Sequence, residues 1–136
     1  MFRSLPATAI AAAVTIAACL TAVAAAAAPV PKLLSCTGTA LVRPSATVVL
    51  SCADGNTELR ATHWRSWGPR VAVGSTDFGV NLCTPTCVAS RMRFFPAATV
   101  ALTDPRRTSR GLLFTRAVIT YTLDGSRRTF TAYPAT

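Results

Sequence analysis

Four cysteines downstream of an alanine-rich N-terminal segment are the feature that most constrains how this chain can fold. The 136-residue sequence has five cysteines, and the first of them, Cys19, lies in the segment 1–28. An early arginine, a long apolar run and a small-residue end make that segment typical of a secretory signal peptide. We therefore predict a cleaved signal over residues 1–28. Cleavage leaves an even number of cysteines in an oxidising compartment, where disulfides form and persist.

Two other interpretations of residues 1–28 compete with a cleaved signal. The apolar run is long enough to span a bilayer, but alanine contributes little transfer free energy, which disfavours an uncleaved anchor. Residues 16–19 resemble a lipobox that would lipidate Cys19, although the apolar residues after it disfavour a lipoprotein tether. We expect a secreted or cell-envelope protein with no membrane span after signal cleavage.

The remaining cysteines are expected to form two disulfides. Four cysteines allow three pairings, and the sequence alone does not choose among them. We prefer local pairing, because it keeps both loops short. A zinc site is disfavoured because all-cysteine zinc sites usually contain C-x-x-C pairs and occur in reducing compartments. We predict no metal and no cofactor, and disulfides at Cys36, Cys52, Cys83 and Cys87.

Short strand-like segments separated by turn signals fill the rest of the chain, and no window has a sustained helical period. Asp54-Gly55 and Asp124-Gly125 predict tight turns, and Asp104 begins a predicted polar loop that runs to Gly111. The sequence predicts one all-β domain over residues 29–136. We expect a small disulfide-stapled antiparallel β-sandwich of Ig-like type or a barrel. The strand-like segments are 42–52, 58–67, 70–80, 91–95, 97–103, 112–123 and 128–133.

Trp64 and Trp67 are the two tryptophans, three residues apart. In a regular strand an odd separation places side chains on opposite faces, so we expect one ring in the core and the other outside it. An exposed tryptophan beside Arg65 could stack on a sugar or a partner surface. Trp64, Trp67 and Arg65 are therefore a candidate binding surface.

His63 is the only histidine and the one candidate for nucleophilic catalysis. A Ser-His-Asp mechanism would need a serine and an acid beside it, such as Asp54 or Asp77, but no G-x-S-x-G elbow is present. Asp54, Asn56 and Glu58 alternate as calcium ligands do in some loops, yet the distal bidentate glutamate of an EF-hand is missing. We predict no catalytic residue and interpret Asp54 to Asn56 as a turn.

The formal net charge of +9 falls by one when Arg3 leaves with the signal. The basic residues are mostly arginines scattered along the chain, with neither a long run nor an aromatic-rich basic motif. This distribution is typical of a solvated face, and we expect no nucleic acid partner. An exported basic protein would meet anionic cell-wall polymers first.

Five short motifs occur along the predicted domain: C-A-D-G at 52–55, W-x-x-W-G at 64–68, C-T-P-x-C at 83–87, P-A-x-T-V-x-L at 96–102 and F-T-R at 114–116. Together they resemble a group of small exported proteins of actinobacteria that has no established activity. The resemblance spans most of residues 29–136 and implies an exported, disulfide-containing domain, without supplying catalytic residues.

The leading functional hypothesis is a secreted non-enzymatic β domain that binds a cell-wall polymer or another extracellular protein. One alternative is a secreted inhibitor of a protease or other hydrolase that presents the loop from Cys83 to Cys87, because rigid loops lose little entropy on docking. A second alternative is a small hydrolase that uses His63.

Overall fold

The computed structural model describes residues 25–136, and all its regular secondary structure is β. Residues 1–24 of the predicted signal 1–28, including Cys19, lie outside the described residues. No helix long and apolar enough to cross a membrane occurs among residues 25–136. The strands are β1 (Leu33–Leu34), β2 (Ala40–Leu41), β3 (Val48–Val49), β4 (Thr57–Trp67), β5 (Ala72–Asn81), β6 (Met92–Thr108), β7 (Gly111–Leu123) and β8 (Ser126–Ala132).

Strands β3 to β8 form one six-stranded antiparallel sheet in consecutive order, and β1 pairs with β2 in a separate small sheet. Consecutive pairing is the order of an up-and-down meander, in which short turns join neighbouring strands. The predicted fold class, an all-β domain with antiparallel strands and two disulfides, is confirmed.

Aromatic contacts show that the large sheet curls into a half-barrel. Trp67 on β4 and Phe114 on β7 have ring centroids 5.6 Å apart, and Phe78 on β5 lies 5.5 Å from Phe130 on β8. Each pair belongs to strands three places apart, which a flat sheet would separate by about 14 Å. The curl therefore brings the two ends of the sheet towards each other around one core.

The core lies on the concave face and follows the alternation of the strands. Ala98, Val100 and Leu102 of β6 are buried there, while Thr99 between them is exposed. The remaining buried members come from β1, from β3 and the residue after it, and from all five long strands. They are Leu33, Val48, Leu50, Leu59, Trp67, Ala72, Phe78, Val80, Phe95, Phe114, Ala117, Ile119 and Ala132.

Three predicted boundaries are wrong, each for a local reason. The predicted strands 91–95 and 97–103 form one strand, β6, because Pro96 and Ala97 occupy a bulge where no ladder hydrogen bond is required. The predicted loop at Asp104 is part of β6 as well, with Pro105 opposite Phe114. The predicted strand 42–52 is reduced to Val48–Val49, the short edge of the sheet.

Both disulfides have the preferred local pairing, Cys36 with Cys52 and Cys83 with Cys87. The first joins the β1–β2 connection to the segment that follows β3. Cys36 Sγ lies 3.4 Å from the carbonyl oxygen of Val49, so this disulfide covers the outer edge of β3. An edge strand covered in this way is protected from pairing with another chain.

Candidate functional site

A cavity of about 390 Å³ opens where the two ends of the curled sheet approach each other. We call it the seam cavity. Its apolar lining comes from Leu50 after β3, Val80 on β5, and Phe130 and Ala132 on β8. Pockets that combine apolar lining with a few polar groups are typical small-ligand or side-chain sites. The polar lining residues are Ser51, Asp54, Asn56, Thr57, Asn81, Thr131 and Tyr133.

The loop closed by Cys83 and Cys87 forms one wall of the seam cavity, and Asn81 holds that loop in place. The Nδ2 of Asn81 donates to the Cys87 carbonyl at 2.9 Å, and its Oδ1 accepts from the Cys83 amide at 2.9 Å. The Ser90 hydroxyl donates to the same Oδ1. The backbone amide of Asn81 also donates to the backbone carbonyl of Asn56 at 2.9 Å. This hydrogen bond connects the disulfide loop to the turn that contains Asp54.

The Asp54 turn forms the facing wall. The Asn56 backbone amide donates to Asp54 Oδ1 at 3.1 Å, and the Asn56 Nδ2 donates to Oδ2 at 2.9 Å. These hydrogen bonds hold the pKa of Asp54 below its ordinary value, the backbone amide first and the Asn56 side chain second. Glu58 pairs instead with Arg60 at 2.6 Å. Asp54 and Asn56 therefore form an Asx turn, and Glu58 forms an ion pair, instead of the alternating calcium ligands that the sequence suggested.

We expect the Asp54 turn to loosen in acid. Because the carboxylate accepts both bonds, its folded pKa lies below the unfolded value of about 3.9, and the charged form favours the native turn. Its contribution is complete above that value and disappears as the pH falls through the lower folded pKa. An NMR titration should show the Asn56 amide resonance moving only in strongly acidic solution, with no such step in Asp54→Asn. A midpoint above 4 would contradict the assignment.

The tryptophans do not lie on opposite faces, and that prediction is wrong. A register shift between Trp64 and Ser66 adds a residue to β4 and so reverses the alternation between the two rings. The two indole rings contact each other edge to face, with their centroids 4.7 Å apart. Trp67 is 8% exposed and donates from Nε1 to the Pro31 carbonyl at 2.9 Å.

Trp64 is half-buried and donates from Nε1 to the carbonyl of Pro44 at 2.9 Å. Both rings thus hold N-terminal segments against the sheet. Of the candidate binding surface, only Arg65 is exposed. Trp67 in particular has no free ring face for a partner, since its indole packs between Trp64 and Phe114.

His63 lies on the convex face, away from the seam cavity. It lines a depression of about 260 Å³ together with Ser75 and Asp77. His63 and Ser75 are directly opposed on β4 and β5, but no hydrogen bond among the described residues joins the imidazole to either neighbour. Asp54, the other acid considered for catalysis, lies at the seam cavity.

Two alanines with left-handed backbone conformation, Ala61 and Ala97, also line the His63 depression. Ala61 has φ 46° and Ala97 has φ 56°, and each lies in a bulge next to β5. Behind them the buried hydroxyls of Thr62 and Thr76 are 3.0 Å apart, and Thr76 also donates to the Arg60 carbonyl at 3.0 Å. These contacts account for the bulges as structural features of the sheet.

Two arginine doublets, Arg106–Arg107 and Arg127–Arg128, lie at opposite ends of β7. Arg107 of the first is paired with Leu112 at the start of β7, and Arg127 of the second with Thr122 near its end. Ten residues of strand separate them by about 33 Å. Asp104 also binds Arg106 at 3.0 Å. The doublets therefore do not form one continuous cationic patch.

Sequence reasoning missed Asn81, Phe130 and Tyr133 as parts of one site. The position of Asn81 two residues before Cys83 is a recognisable signal for an Asx turn, whereas Tyr133 carries no local signal. Within residues 25–136, no group of three or more His, Cys, Asp or Glu side chains is placed to hold a metal ion. Comparison with protein-family models, with curated proteins and with solved structures found no match to this chain.

Proposed function

We propose that this protein is an exported, non-catalytic binding domain that captures a cell-envelope or extracellular partner at the seam cavity. Two disulfides favour an oxidising, extracytoplasmic location. The cavity lies apart from His63, the only side chain for which the sequence suggested nucleophilic catalysis. Binding, rather than turnover, is the activity that its lining supports.

One observation carries this proposal: both disulfide-bonded segments contribute walls to the same cavity. Cys83 and Cys87 line it directly, and Leu50 and Ser51 lead into Cys52 on the other side. Loops fixed before binding lose little conformational entropy when a partner docks. Because both disulfides lie in or next to the walls of the seam cavity, they fix the shape of its opening.

Tyr133 provides the test, because it lines the seam cavity, is 74% exposed and does not belong to the buried core. We expect the immobilised mature chain to retain a component of the cell envelope or culture medium, and Tyr133→Ala and Asp54→Ala to lose at least tenfold of that retention. His63→Ala and Val88→Ala, at exposed sites outside the cavity, should retain it fully. Equal retention by all four variants would refute the seam cavity as the binding site.

The exposed loop of the second disulfide favours a second candidate, inhibition of an extracellular hydrolase. Val88 is 99% exposed, and Thr84, Pro85 and Thr86 are exposed beside it. The Asn81 hydrogen bonds fix the loop from beneath, which is the pre-organisation that inhibitor loops require. A panel of secreted hydrolases separates the candidates, because inhibition should be sensitive to Val88→Ala and insensitive to Tyr133→Ala.

A further inference from the structure

We propose that the seam cavity binds an extended polypeptide segment that pairs with the free edge of β8 as an additional strand. This inference rests on the proposed function and specifies the class of ligand. The large sheet has two edges, β3 and β8. The Cys36–Cys52 disulfide covers β3, whereas no strand among residues 25–136 pairs with the outer side of β8.

The β7–β8 turn determines which backbone groups of β8 face outward. Asp124 and Gly125 form a two-residue turn, and their φ values of 51° and 73° are both positive, as a type I′ turn requires. In such a hairpin the flanking residues, here Leu123 and Ser126, form a hydrogen-bonded pair. Hydrogen-bonded and non-hydrogen-bonded pairs then alternate along the two strands.

Counting from that pair, Arg127, Thr129 and Thr131 occupy non-hydrogen-bonded positions of β8. Their amide and carbonyl groups point away from β7, towards the open side of the sheet. Three residues therefore present a regular row of donors and acceptors. A peptide of about five residues, at about 3.4 Å per residue, would cover that row.

The seam cavity lies beside the end of this row. Phe130, Thr131 and Ala132 line it on the β8 side, and Leu50 lines it on the β3 side. In strand addition the backbone supplies affinity, and pockets for alternate side chains supply specificity. A peptide paired with Thr131 would direct one apolar side chain into the cavity.

Charge specifies the rest of the peptide. Arg127 and Arg128 are both exposed at the start of β8, and their guanidinium groups form no ion pair among the described residues. An acidic residue about four positions from the apolar side chain would face this doublet. The ligand is therefore an extended, acidic peptide with one apolar anchor. Exposed arginines can also protect an edge strand from aggregation, and in that case no peptide should bind.

The test uses a phage-displayed library of random dodecapeptides selected on the full mature chain. We expect enriched peptides that contain acidic residues and an apolar anchor, and that bind Thr129→Pro and Thr131→Pro at least tenfold more weakly. Proline removes an outward amide without breaking the β7 ladder. Thr129→Val is the matched control, because it retains the amide at a position that does not line the seam cavity, and its affinity should stay within twofold. Thr131 lines the cavity, so Thr131→Val is compared only with Thr131→Pro, which should bind more weakly.

A second comparison concerns the backbone of the peptide. N-methylation of alternate amides in a selected peptide should abolish binding in one register and leave it unchanged in the other. Failure to enrich any peptide, or equal affinity for the proline and valine variants, would overturn strand addition. If Tyr133-dependent retention of an envelope component persists in that case, the seam cavity remains the binding site and its ligand is not a peptide. Loss of both results removes the proposed function as well.

Discussion

Replacement of Trp67 by alanine is expected to lower the free energy of unfolding by about 4 kcal/mol, since truncation of a buried aromatic residue costs roughly 3–5 kcal/mol. Trp67 lies at the end of β4 and contacts both Trp64 and Phe114. Its removal leaves a cavity where β4 and β7 meet across the half-barrel. It also leaves the Pro31 carbonyl without its indole donor, and an unpaired buried acceptor is itself costly.

Urea unfolding followed by far-UV circular dichroism measures this loss without depending on tryptophan fluorescence. Domains of this size are stable by about 5–15 kcal/mol, so Trp67→Ala should unfold at much lower denaturant concentration. Trp67→Phe keeps a ring and loses the indole donor, and it should cost about 1–2 kcal/mol. Trp64→Ala, at the half-buried position, should cost less than Trp67→Ala. A loss below 1 kcal/mol for Trp67→Ala would contradict the packing described.

The strands and the disulfide pairing could be predicted because their signals are local. Ala98, Val100 and Leu102 alternate with exposed or half-buried neighbours, and the Asp124-Gly125 turn fixes the last hairpin. Local cysteine spacing favoured the pairing that the structure has. In each case the signal lies within a short stretch of sequence, 16 positions at most for the Cys36–Cys52 pair.

The bulges could not be predicted from the same signals. A single extra residue between Trp64 and Ser66 moves the following side chains of β4 to the other face of the sheet. The residue types at this position are the same as those found in a regular strand. Ala61 and Ala97 adopt left-handed φ values that favour glycine, so their identity argues against the conformation they have. The paired residues on either side of each bulge impose this left-handed conformation, so it depends on the whole sheet and not on the local sequence.

The seam cavity lay beyond sequence analysis for a related reason. Leu50 and Phe130 approach it from opposite edges of the sheet, eighty residues apart in the chain. Alternation shows which face of a strand is buried, but it does not show how far six strands curl. The cavity is a consequence of that curl. Trp64 and Trp67 are large and close in sequence, which suggested a binding surface, but their rings pack against each other and stabilise the fold.

Loss of the Cys36–Cys52 disulfide is the second large effect we expect. The two cysteines are 16 positions apart, and closing a loop of that length stabilises a fold by about 3 kcal/mol through the entropy of the unfolded chain. The Cys36→Ser/Cys52→Ser double variant should lose about that amount. The matched variant, Cys83→Ser/Cys87→Ser, opens a loop of separation 4 and should lose about 2 kcal/mol.

Denaturant unfolding of the two double variants gives their order of stability, and peptide or partner binding gives a second, independent order. Opening Cys83–Cys87 changes a wall of the seam cavity directly, so it should weaken binding more strongly although it destabilises the fold less. Opening Cys36–Cys52 exposes the edge of β3 at Val49, and this variant should aggregate more readily through that edge. If the Cys83–Cys87 variant were the less stable of the two, the Asn81 hydrogen bonds would depend on that disulfide, and loop entropy would not be the dominant effect.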